Sequence, residues 1–268
     1  MTYRVALVGG GRMGGAMLKG WAENNLDLEL SVFEPVPSPE LAELVHRRNW
    51  RLNPDPLMLG VVDAVIIGVK PQSFSYACEQ TIALITASHT LVVSVMAGLS
   101  IYKIAQTSKA TRIIRAMPNT PGQIGQGITA YFLGPDVNDE DEKFAIKLLE
   151  PLGRVEKLGT ERLMDAVTAV SGSGPAYVFL MTEALAAAGE GEGLERGLAE
   201  RLARQTVVGS AALMAQSGQT PLELRRAVTS PEGTTAAALD VLTAGGGLVK
   251  LMRRAVEAAA YRSRQLGK

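Results

Sequence analysis

Three glycines with the spacing of a dinucleotide-binding turn follow the first apolar segment of the chain. Gly9, Gly11 and Gly14 form the pattern GxGxxG directly after the run VALV. In this pattern the first glycine permits a tight turn, the second lets the backbone approach phosphates, and the third allows close helix–strand packing. The diphosphate of a dinucleotide then meets free N–H groups at a helix N-terminus. The alternative is that the glycines form an ordinary turn.

An acidic residue at the expected distance strengthens this interpretation. Glu34 ends a second apolar run, Leu28 to Phe33, and lies twenty residues after Gly14. A carboxylate there accepts hydrogen bonds from the adenosine ribose and repels a 2′-phosphate, so we expect NADH to be favoured over NADPH. Arginines within residues 47–51 (Arg47, Arg48 and Arg51) would offset the repulsion if they folded back. The alternative is a solvated charge before Pro35.

Two later loops break the regular patterning directly after strand-like runs. Open α/β sheets bind ligands beyond the carboxyl ends of their strands, so the loop GVKPQ at 68–72 is expected to line the cofactor cleft. The loop at 115–127 holds Asn119 in a rigid segment where it could contact the nicotinamide. A solvated charge for Lys70 and a structural turn for Asn119 are the alternatives. The cofactor contacts expected from the glycine turn and these loops are Gly9, Gly10, Gly11, Arg12, Met13, Gly14, Val69, Lys70, Pro71 and Asn119.

A turn in the second half of the chain could bind a carboxylate. The segment AVTSPEGTTAAAL, residues 227–239, ends one helix at Ser230 and begins another at Thr234 and Thr235. Backbone N–H groups of Gly233 and the two threonines would be unpaired and would face whatever occupies the turn. On the residues alone, helix capping by the threonines is the simpler interpretation.

Strand-like and helix-like patterns alternate through the first part of the chain. A helix is signalled by Ser38 followed by Pro39, and another by Asn138 followed by four acidic residues. The alternation predicts an α/β N-terminal domain of Rossmann-like type, with a doubly wound and mostly parallel sheet, over residues 1–159. The predicted strands are Tyr3 to Val8, Leu28 to Phe33, Ala64 to Val69, Leu91 to Val95, Thr111 to Arg115, Ile128 to Phe132 and Arg154 to Leu158.

From about residue 160 helical spacing replaces the strand-like runs. This predicts an all-α C-terminal domain over residues 160–268, rich in Ala and Gly. Slender apolar helices form only a modest core by themselves, so we expect a homodimer through this domain. The alternative is a monomeric helical subdomain.

The composition disfavours several classes of protein. Lys plus Arg equals Asp plus Glu, 27 each, so no basic field recruits nucleic acid or a membrane. The single cysteine, Cys78, excludes an intramolecular disulfide, and no metal is expected. His46 and His89 stand in no motif for a proton shuttle. No apolar run approaches the roughly 20 residues of a membrane span, and the first residues read as a strand, so we expect a cytoplasmic protein.

Five segments, in this order, resemble the pyrroline-5-carboxylate reductases. They are the GGGRMG turn, the VKP loop, the MPNTP segment, DAVTAVSGSGPAY at 165–177 and VTSPEGTTAAAL at 228–239. The resemblance runs from Val5 to beyond Gly246. It implies reduction of L-1-pyrroline-5-carboxylate to L-proline, the last step of proline synthesis, by hydride from NADH or NADPH.

The resemblance also implies roles for single residues. Ser230, Gly233 and Thr234 would bind the substrate carboxylate, and the Thr235 hydroxyl would face the ring nitrogen. Glu161 falls where the family places another substrate-pocket residue, and Ala97 falls where it contacts the nicotinamide. In the family the helical domains interlock as dimers, some of which assemble into rings.

The chain departs from the family at one position of the substrate turn. Glu232 stands where the family commonly has glycine. A glutamate needs a less permissive backbone there, and its charge opposes a bound carboxylate unless it points to solvent. The departure puts substrate affinity in doubt more than the type of reaction.

Two other functions remain open on the sequence. A β-hydroxyacid dehydrogenase shares the N-terminal fold and a helical second domain, but it needs a lysine on the first helix after the sheet domain. No lysine occurs between Thr160 and Gly191. A dinucleotide-sensing regulator without catalysis would leave the TSPEGTT turn with no role beyond capping.

Overall fold

The computed structural model describes residues 2–86 and 89–267, which form two compact units. One unit comprises residues 1–173 with 259–268, and the other comprises residues 174–258. The sheet of the first unit ends at Lys157, close to the predicted domain boundary after residue 159. The compact unit continues to Ser173 because a short helix after the sheet packs against a strand. The boundary between functional domains stays a prediction.

The first unit is built on one eight-stranded sheet. Its strands are β1 (Tyr3–Val8), β2 (Leu28–Phe33), β3 (Arg51–Leu52), β4 (Ala64–Ile67), β5 (Leu91–Ser94), β6 (Ile113–Met117), β7 (Gly127–Leu133) and β8 (Gly153–Lys157). They lie in the order β3-β2-β1-β4-β5-β6-β7-β8. The pairs are parallel except for β6 with β7, which is antiparallel. The order reverses between β1 and β4, where doubly wound sheets bind their ligands, so the predicted fold class is confirmed.

Both faces of the central strands are buried, which explains their continuous apolar sequences. Along β1, Val5 and Leu7 join the core on one face, while Ala6 and Val8 join the core on the other. Trp21 is fully buried in the first of these cores, and its indole N–H donates to the Leu148 carbonyl over 2.8 Å. The core thereby fixes the strand ends from which the loops of the cleft emerge.

The helices of the first unit begin at local signals that the sequence carries. The Ser38 hydroxyl accepts from the Leu41 N–H, with Pro39 in the first turn, as predicted. Asn138 forms a capping box with Asp141, which confirms the predicted helix start there. The helices are α1 (Arg12–Glu23), α2 (Pro39–Arg47), α3 (Phe74–Ile85), α4 (Ile101–Ser108), α5 (Asp139–Leu149) and α6 (Met164–Val167).

The second unit is helical, as predicted, and many of its large apolar side chains are exposed. Its helices are α7 (Gly174–Gly191), α8 (Arg196–Ser217), α9 (Pro221–Ala227), α10 (Thr234–Thr243) and α11 (Gly247–Leu266), whose last turns belong to the first unit. α7 and α8 pack along each other. Apolar side chains such as Phe179, Val241 and Val249 are at least 60% exposed. Exposed apolar area of this extent is typical of an interaction surface.

One described stretch, Thr234–Leu266, has the length and composition of a membrane-spanning helix. This corrects the expectation that no stretch of the chain does. The backbone breaks inside the stretch, since Gly245 has a φ of 60° between α10 and α11. The two helices are therefore separate elements, and their apolar character also suits contact with another protein surface.

Candidate functional site

The glycine turn after β1 has the geometry that its spacing predicts. Gly9 has a φ of 103°, and a Cβ atom there would lie 2.8 Å from the carbonyl carbon of Gly68. A Cβ atom on Gly14 would overlap the carbonyl oxygen of Gly9. Gly9 and Gly14 are therefore fixed as glycine by the packing of the turn.

Gly11 has no such constraint from the protein. It precedes α1 with a φ of −63°, and no described atom lies within 4 Å of a Cβ atom built on it. No described side chain caps α1. The first N–H groups of α1 are therefore accessible, because glycine at position 11 places no side chain in front of them. This arrangement suits the diphosphate of a dinucleotide.

Glu34 is held beside this turn. Its Oε2 accepts a 2.8 Å hydrogen bond from the Gly10 N–H, and its Oε1 accepts from the Val36 N–H over 3.2 Å. Both bonds fix the carboxylate instead of leaving it as a loose solvated charge. Gly10, Gly11, Arg12 and Glu34 line a cleft of about 960 Å³ that continues between α1 and α2.

The arginines that could offset the charge of Glu34 bind elsewhere. Arg47 pairs with Glu43 on its own helix at 3.6 Å, and Arg51 pairs with Glu29 at 2.8 Å. Arg48 donates to the side chain of Asn25 over 3.2 Å. In this structure none of the three contacts Glu34, although Arg47 and Arg48 line the same cleft.

The loops after β1, β4 and β5 touch one another in sheet order. Gly68 donates its N–H to the carbonyl of Val8 over 2.8 Å, directly beside Gly9. A Cβ atom on Gly68 would lie 3.4 Å from Cγ2 of Val95. Ala97 follows on the loop after β5 and is half-buried. A continuous edge therefore runs from the glycine turn to the loop that carries Ala97.

The residues of the VKP loop form one side of this edge. Val69 and Pro71 are half-buried, whereas the side chain of Lys70 is exposed. The backbone of Lys70 begins the short 3₁₀ turn Pro71–Ser73, and its carbonyl accepts from the Ser73 N–H. The turn fixes the path of the loop and leaves the lysine head group to solvent.

Asn119 performs a structural role in its loop. Its Oδ1 accepts a 3.0 Å hydrogen bond from the Ile128 N–H and would lie 2.8 Å from a Cβ atom on Gly127. The side-chain oxygen thus ties the loop after β6 to the start of β7. This agrees with the alternative of a structural turn, and contact with the nicotinamide stays a prediction.

Glu161 is bound to two groups of the first unit. Its Oε1 accepts from the Ile101 N–H over 2.8 Å and from Nη1 of Arg115 over 2.9 Å. Arg115 is only 5% exposed, and its Nε donor has no hydrogen-bond partner among the described residues. The sequence analysis missed Arg115, although a charge inside the apolar strand IIRAM is an available signal.

A π-helical turn, Thr168–Gly172, leads into the SGSG segment at residues 171–174. The Ser173 N–H donates to the carbonyl of Thr168 over 2.8 Å, and a Cβ atom on Gly172 would lie 2.7 Å from Cε of Met117. Such π turns are frequent at functional sites. Here the turn lets the segment approach the end of β6 closely.

The turn between α9 and α10, in the second unit, has a different N-cap from the one expected. The N-cap of α10 is Gly233, and no described side chain caps this helix. The interpretation that the threonines serve as caps is therefore wrong: Thr234 and Thr235 lie inside the first turn. The Gly233 N–H is also not free, since it donates to the carbonyl of Ser230 over 3.2 Å.

Two features of this turn concern the side chains around the helix start. A Cβ atom on Gly233 would overlap Oγ of Ser230, so glycine is required for the hydroxyl to lie over the turn. Glu232 has a φ of 58°, in the left-handed region that favours glycine. Thr235 is half-buried, whereas Thr234 is exposed.

The ionisable side chains of histidine and cysteine take no part in these clusters. His46 is exposed on α2. Cys78 is buried on α3, and burial raises the pKa of its thiol to about 11, so it behaves as a small apolar residue. Among residues 2–86 and 89–267, no three His, Cys, Asp or Glu side chains gather as a metal site requires.

Comparison with known proteins gives matches over the whole chain. The family model for pyrroline-5-carboxylate reductase dimerisation matches residues 161–266, and the model for NADP oxidoreductase, coenzyme F420-dependent, matches residues 4–98. A pyrroline-5-carboxylate reductase of Synechocystis sp. is 36% identical over 272 aligned residues, which cover 100% of both chains.

Two solved structures resemble the protein along its full length. The pyrroline-5-carboxylate reductase of Coxiella burnetii has a TM-score of 0.90 and 33% identity, with 100% of both chains covered. The pyrroline carboxylate reductase of Plasmodium falciparum, solved with NADP bound, has a TM-score of 0.83 and 29% identity, with 99% of this chain and 98% of that one covered.

Proposed function

The chain belongs to the pyrroline-5-carboxylate reductase family, and on that premise we propose which of its residues serve the reaction. The protein is an oxidoreductase that reduces L-1-pyrroline-5-carboxylate to L-proline with a nicotinamide dinucleotide, in proline biosynthesis. The dehydrogenase and regulator alternatives are thereby set aside. The identity of the individual site residues is the part that we propose.

The observation that carries the proposal concerns helix starts. α2, α4, α5, α8 and α9 are all capped by a side chain, whereas α1 and α10 begin after glycines without one. α3 and α6 also lack a capping side chain, but each directly continues a 3₁₀ turn, Pro71–Ser73 and Glu161–Leu163. Uncapped N–H groups at a helix start attract anions through direct hydrogen bonds and the helix dipole. The reaction has two anionic groups to bind, the cofactor diphosphate and the substrate carboxylate. We assign Gly11 to the first and Gly233 to the second.

At the substrate turn, Ser230, Gly233 and Thr234 bind the carboxylate. The Ser230 hydroxyl and the Thr234 N–H donate to it, and Gly233 acts chiefly through its lack of a side chain, because a Cβ atom there would displace the hydroxyl. Two or three such donors fix the ring of the substrate relative to α10. Glu232 keeps its carboxylate toward solvent in this arrangement.

Thr235 orients the substrate nitrogen. Its hydroxyl lies in the first turn of α10 and donates a hydrogen bond to the ring nitrogen, which polarises the C=N bond. Threonine is far too weak an acid to protonate the imine outright, so its contribution is orientation and a fixed dipole. The absence of histidine from these clusters therefore fits the chemistry.

At the nucleotide site, Gly9 to Gly14 hold the diphosphate and Glu34 holds the adenosine ribose. Val69, Lys70, Pro71, Ala97 and Asn119 line the nicotinamide end. When bound, NADH or NADPH supplies the hydride. NADH is favoured because the fixed carboxylate of Glu34 repels a 2′-phosphate and the nearby arginines bind other residues. NADPH is kept as a second donor because the pyrroline carboxylate reductase of Plasmodium falciparum was solved with NADP bound.

The working protein is a homodimer formed through the helical part. The dimerisation model matches residues 161–266, and exposed apolar side chains lie along α7, α8, α10 and α11. A second copy that covers these side chains also explains the apolar stretch Thr234–Leu266 without a membrane. Assembly of dimers into a ring and a cytoplasmic location complete the proposal.

A direct assay tests the proposal. The purified protein is mixed with L-1-pyrroline-5-carboxylate and NADH, and the loss of NADH absorbance is followed; NADPH serves as the second donor. Consumption with both donors, faster with NADH, is the expected result. A folded protein that consumes neither would be a dinucleotide-binding protein without this activity, and faster use of NADPH would contradict the role of Glu34.

A further inference from the structure

The loop Val95–Ser100, which follows β5, is held at its end toward α4 and in its middle. At its end toward α4, the carboxylate of Glu161 accepts from the N–H of Ile101, the first residue of the helix. In its middle, Gly98 has a φ of 79° and packs against the C-terminal turn of the chain. All of these residues belong to the first unit.

The bond to Ile101 is reinforced by a buried ion pair. The side chains of Arg115 and Glu161 are 6% and 27% exposed and are joined at 2.9 Å. Arg115 projects from β6, the strand next to β5. Burying two charges is costly, and such a pair is more often useful for fixing one geometry than for stability. The pair thus fixes the start of α4 relative to β6.

The C-terminal turn holds the same loop from another side. A Cβ atom on Gly98 would lie 2.9 Å from Cβ of Leu266, and a Cβ atom on Gly267 would overlap the carbonyl oxygen of Gly98. The turn is anchored by Ser263, which is only 2% exposed and whose hydroxyl donates to Oδ1 of Asp165 over 2.6 Å. Glycine at positions 98 and 267 allows this close approach.

The position of the loop Val95–Ser100 along the sheet edge indicates which part of the cofactor it faces. Gly9, Gly68 and Val95 form a continuous edge. In the proposed cofactor site, the dinucleotide extends along this edge from Glu34. The loop after β5 lies beyond the diphosphate turn and carries Ala97. It is therefore the part of the edge that meets the nicotinamide end of the cofactor.

We propose that Glu161 is a positioning residue which, together with Arg115 and the C-terminal turn Ser263–Gly267, fixes the loop Val95–Ser100 against the nicotinamide. The proposal rests on the proposed function for the cofactor site. It replaces the role in the substrate pocket that the family resemblance implies for Glu161. The carboxylate acts through the loop and not by touching either reactant.

The test compares NADH with ADP-ribose, which has the adenosine and diphosphate but no nicotinamide. Calorimetry gives the Kd of each for the wild type, Glu161→Ala and Gly98→Ala. We expect both variants to raise the Kd of NADH about tenfold and to change the Kd of ADP-ribose by less than about twofold, because only the nicotinamide end is displaced. The kcat with pyrroline-5-carboxylate falls as well, with its KM little changed.

Matched controls separate positioning from loss of stability. Asp141→Asn disturbs another partly buried arginine–carboxylate pair of the same unit, with Arg112, and is expected to change neither Kd. If Glu161→Ala does not fold, Glu161→Gln takes its place in the test. The amide keeps an acceptor for the Ile101 N–H, so we expect a smaller loss of NADH affinity than for the alanine variant.

Two results would overturn the inference. One is an equal loss of NADH and ADP-ribose binding, which indicates general damage to the fold. The other is a raised KM for pyrroline-5-carboxylate with unchanged NADH binding, which indicates direct contact with the substrate. Failure of the proposed function is distinct, because it appears as wild-type protein that does not reduce the substrate at all.

Discussion

The backbone N–H of Gly10 donates a 2.8 Å hydrogen bond to Oε2 of Glu34. This bond joins the turn that we assign to the diphosphate to the residue that we assign to the adenosine ribose. A Cβ atom on Gly10 would also lie 3.1 Å from Cβ of Glu34, so glycine permits the contact. The carboxylate is thus held in place by the protein alone, and we expect its charge to favour NADH over NADPH.

Replacing Glu34 by serine is expected to reverse the preference between the two donors. Removal of the fixed charge raises kcat/KM for NADPH by about tenfold and lowers that for NADH, since the ribose loses its acceptor. Initial rates with both donors measure the ratio. Glu23→Ser, on the wall of the same cleft, is the control and leaves the ratio unchanged. An unaltered ratio in Glu34→Ser would exclude Glu34 from the choice of donor.

Gly11→Ala tests whether the open approach to α1 serves the diphosphate. The backbone φ of −63° suits alanine and no described atom is near the new methyl group, so the melting temperature stays the same. The KM for NADH is expected to rise by about tenfold or more, because the methyl group enters the path of the phosphates. The assay therefore pairs a thermal melt with NADH kinetics.

Two further glycine variants serve as controls for Gly11→Ala. Gly14→Ala overlaps the Gly9 carbonyl and is expected to destabilise the fold itself. Gly209→Ala, inside α8 with no described atom near the methyl group, stabilises the helix and leaves the KM unchanged. If Gly11→Ala binds NADH normally, the diphosphate does not approach at this position.

The elements were predictable where their causes are local. Continuous apolar runs predict the central strands, and Ser38 and Asn138 mark helix starts because their side chains cap the next turn. The strand Arg51–Leu52 has two residues and no apolar pattern, so nothing local announces it. The antiparallel pairing of β6 with β7 is set by the loop between them and by distant packing.

The site was predictable in its turns and less so in its side-chain partners. Glycine spacing indicates the turn at Gly9 because each glycine answers a local steric need. The pairing of Arg115 with Glu161 joins residues 46 positions apart and depends on the finished fold. The same holds for the uncapped start of α10, where sequence favours capping threonines and the backbone makes Gly233 the N-cap.

Glu232→Gly should improve both stability and substrate affinity. The residue has a φ of 58°, which costs a non-glycine residue about 1 kcal/mol, and its charge has the same sign as the substrate carboxylate. We expect a higher melting temperature and a severalfold lower KM for pyrroline-5-carboxylate. Lys109→Gly, at a φ of 60° in the first unit, relieves similar strain without changing the KM. A KM unaffected in Glu232→Gly would show that its carboxylate lies far from the substrate.

The acid stability of the first unit depends in part on Glu142. Its carboxylate accepts from the Tyr131 hydroxyl over 2.6 Å and from Lys157 over 2.9 Å, and these bonds lower its pKa below 4.5. A lowered pKa in the folded state contributes stability above pH 4.5, and this contribution is lost as the pH falls through the folded value.

Tyr131→Phe removes the larger of these two causes. The variant is expected to lose about 1 kcal/mol of unfolding free energy at pH 7. The difference from wild type shrinks as the pH falls below 4.5 and through the lowered folded-state pKa of Glu142. Urea unfolding at fixed protein concentration, from pH 7 to pH 3, measures both curves. Tyr76→Phe, at an exposed tyrosine, gives a curve parallel to the wild type. A pH-independent difference in Tyr131→Phe would mean that lost packing, and not the bond to Glu142, destabilises it.

Thr235→Ala addresses the chemical step itself. Thr235 is half-buried in the first turn of α10, and its hydroxyl is the group that we assign to the ring nitrogen. Without it the imine loses orientation and polarisation, so kcat falls by about tenfold or more while the Kd of NADH stays the same. Thr235→Ser restores most of kcat because the hydroxyl returns. Thr243→Ala, at the far end of the same helix, leaves kcat unchanged. Full turnover in Thr235→Ala would show that the Thr235 hydroxyl does not orient the nitrogen. The hydrogen bonds from Ser230 and Thr234 to the substrate carboxylate would then have to fix the ring by themselves.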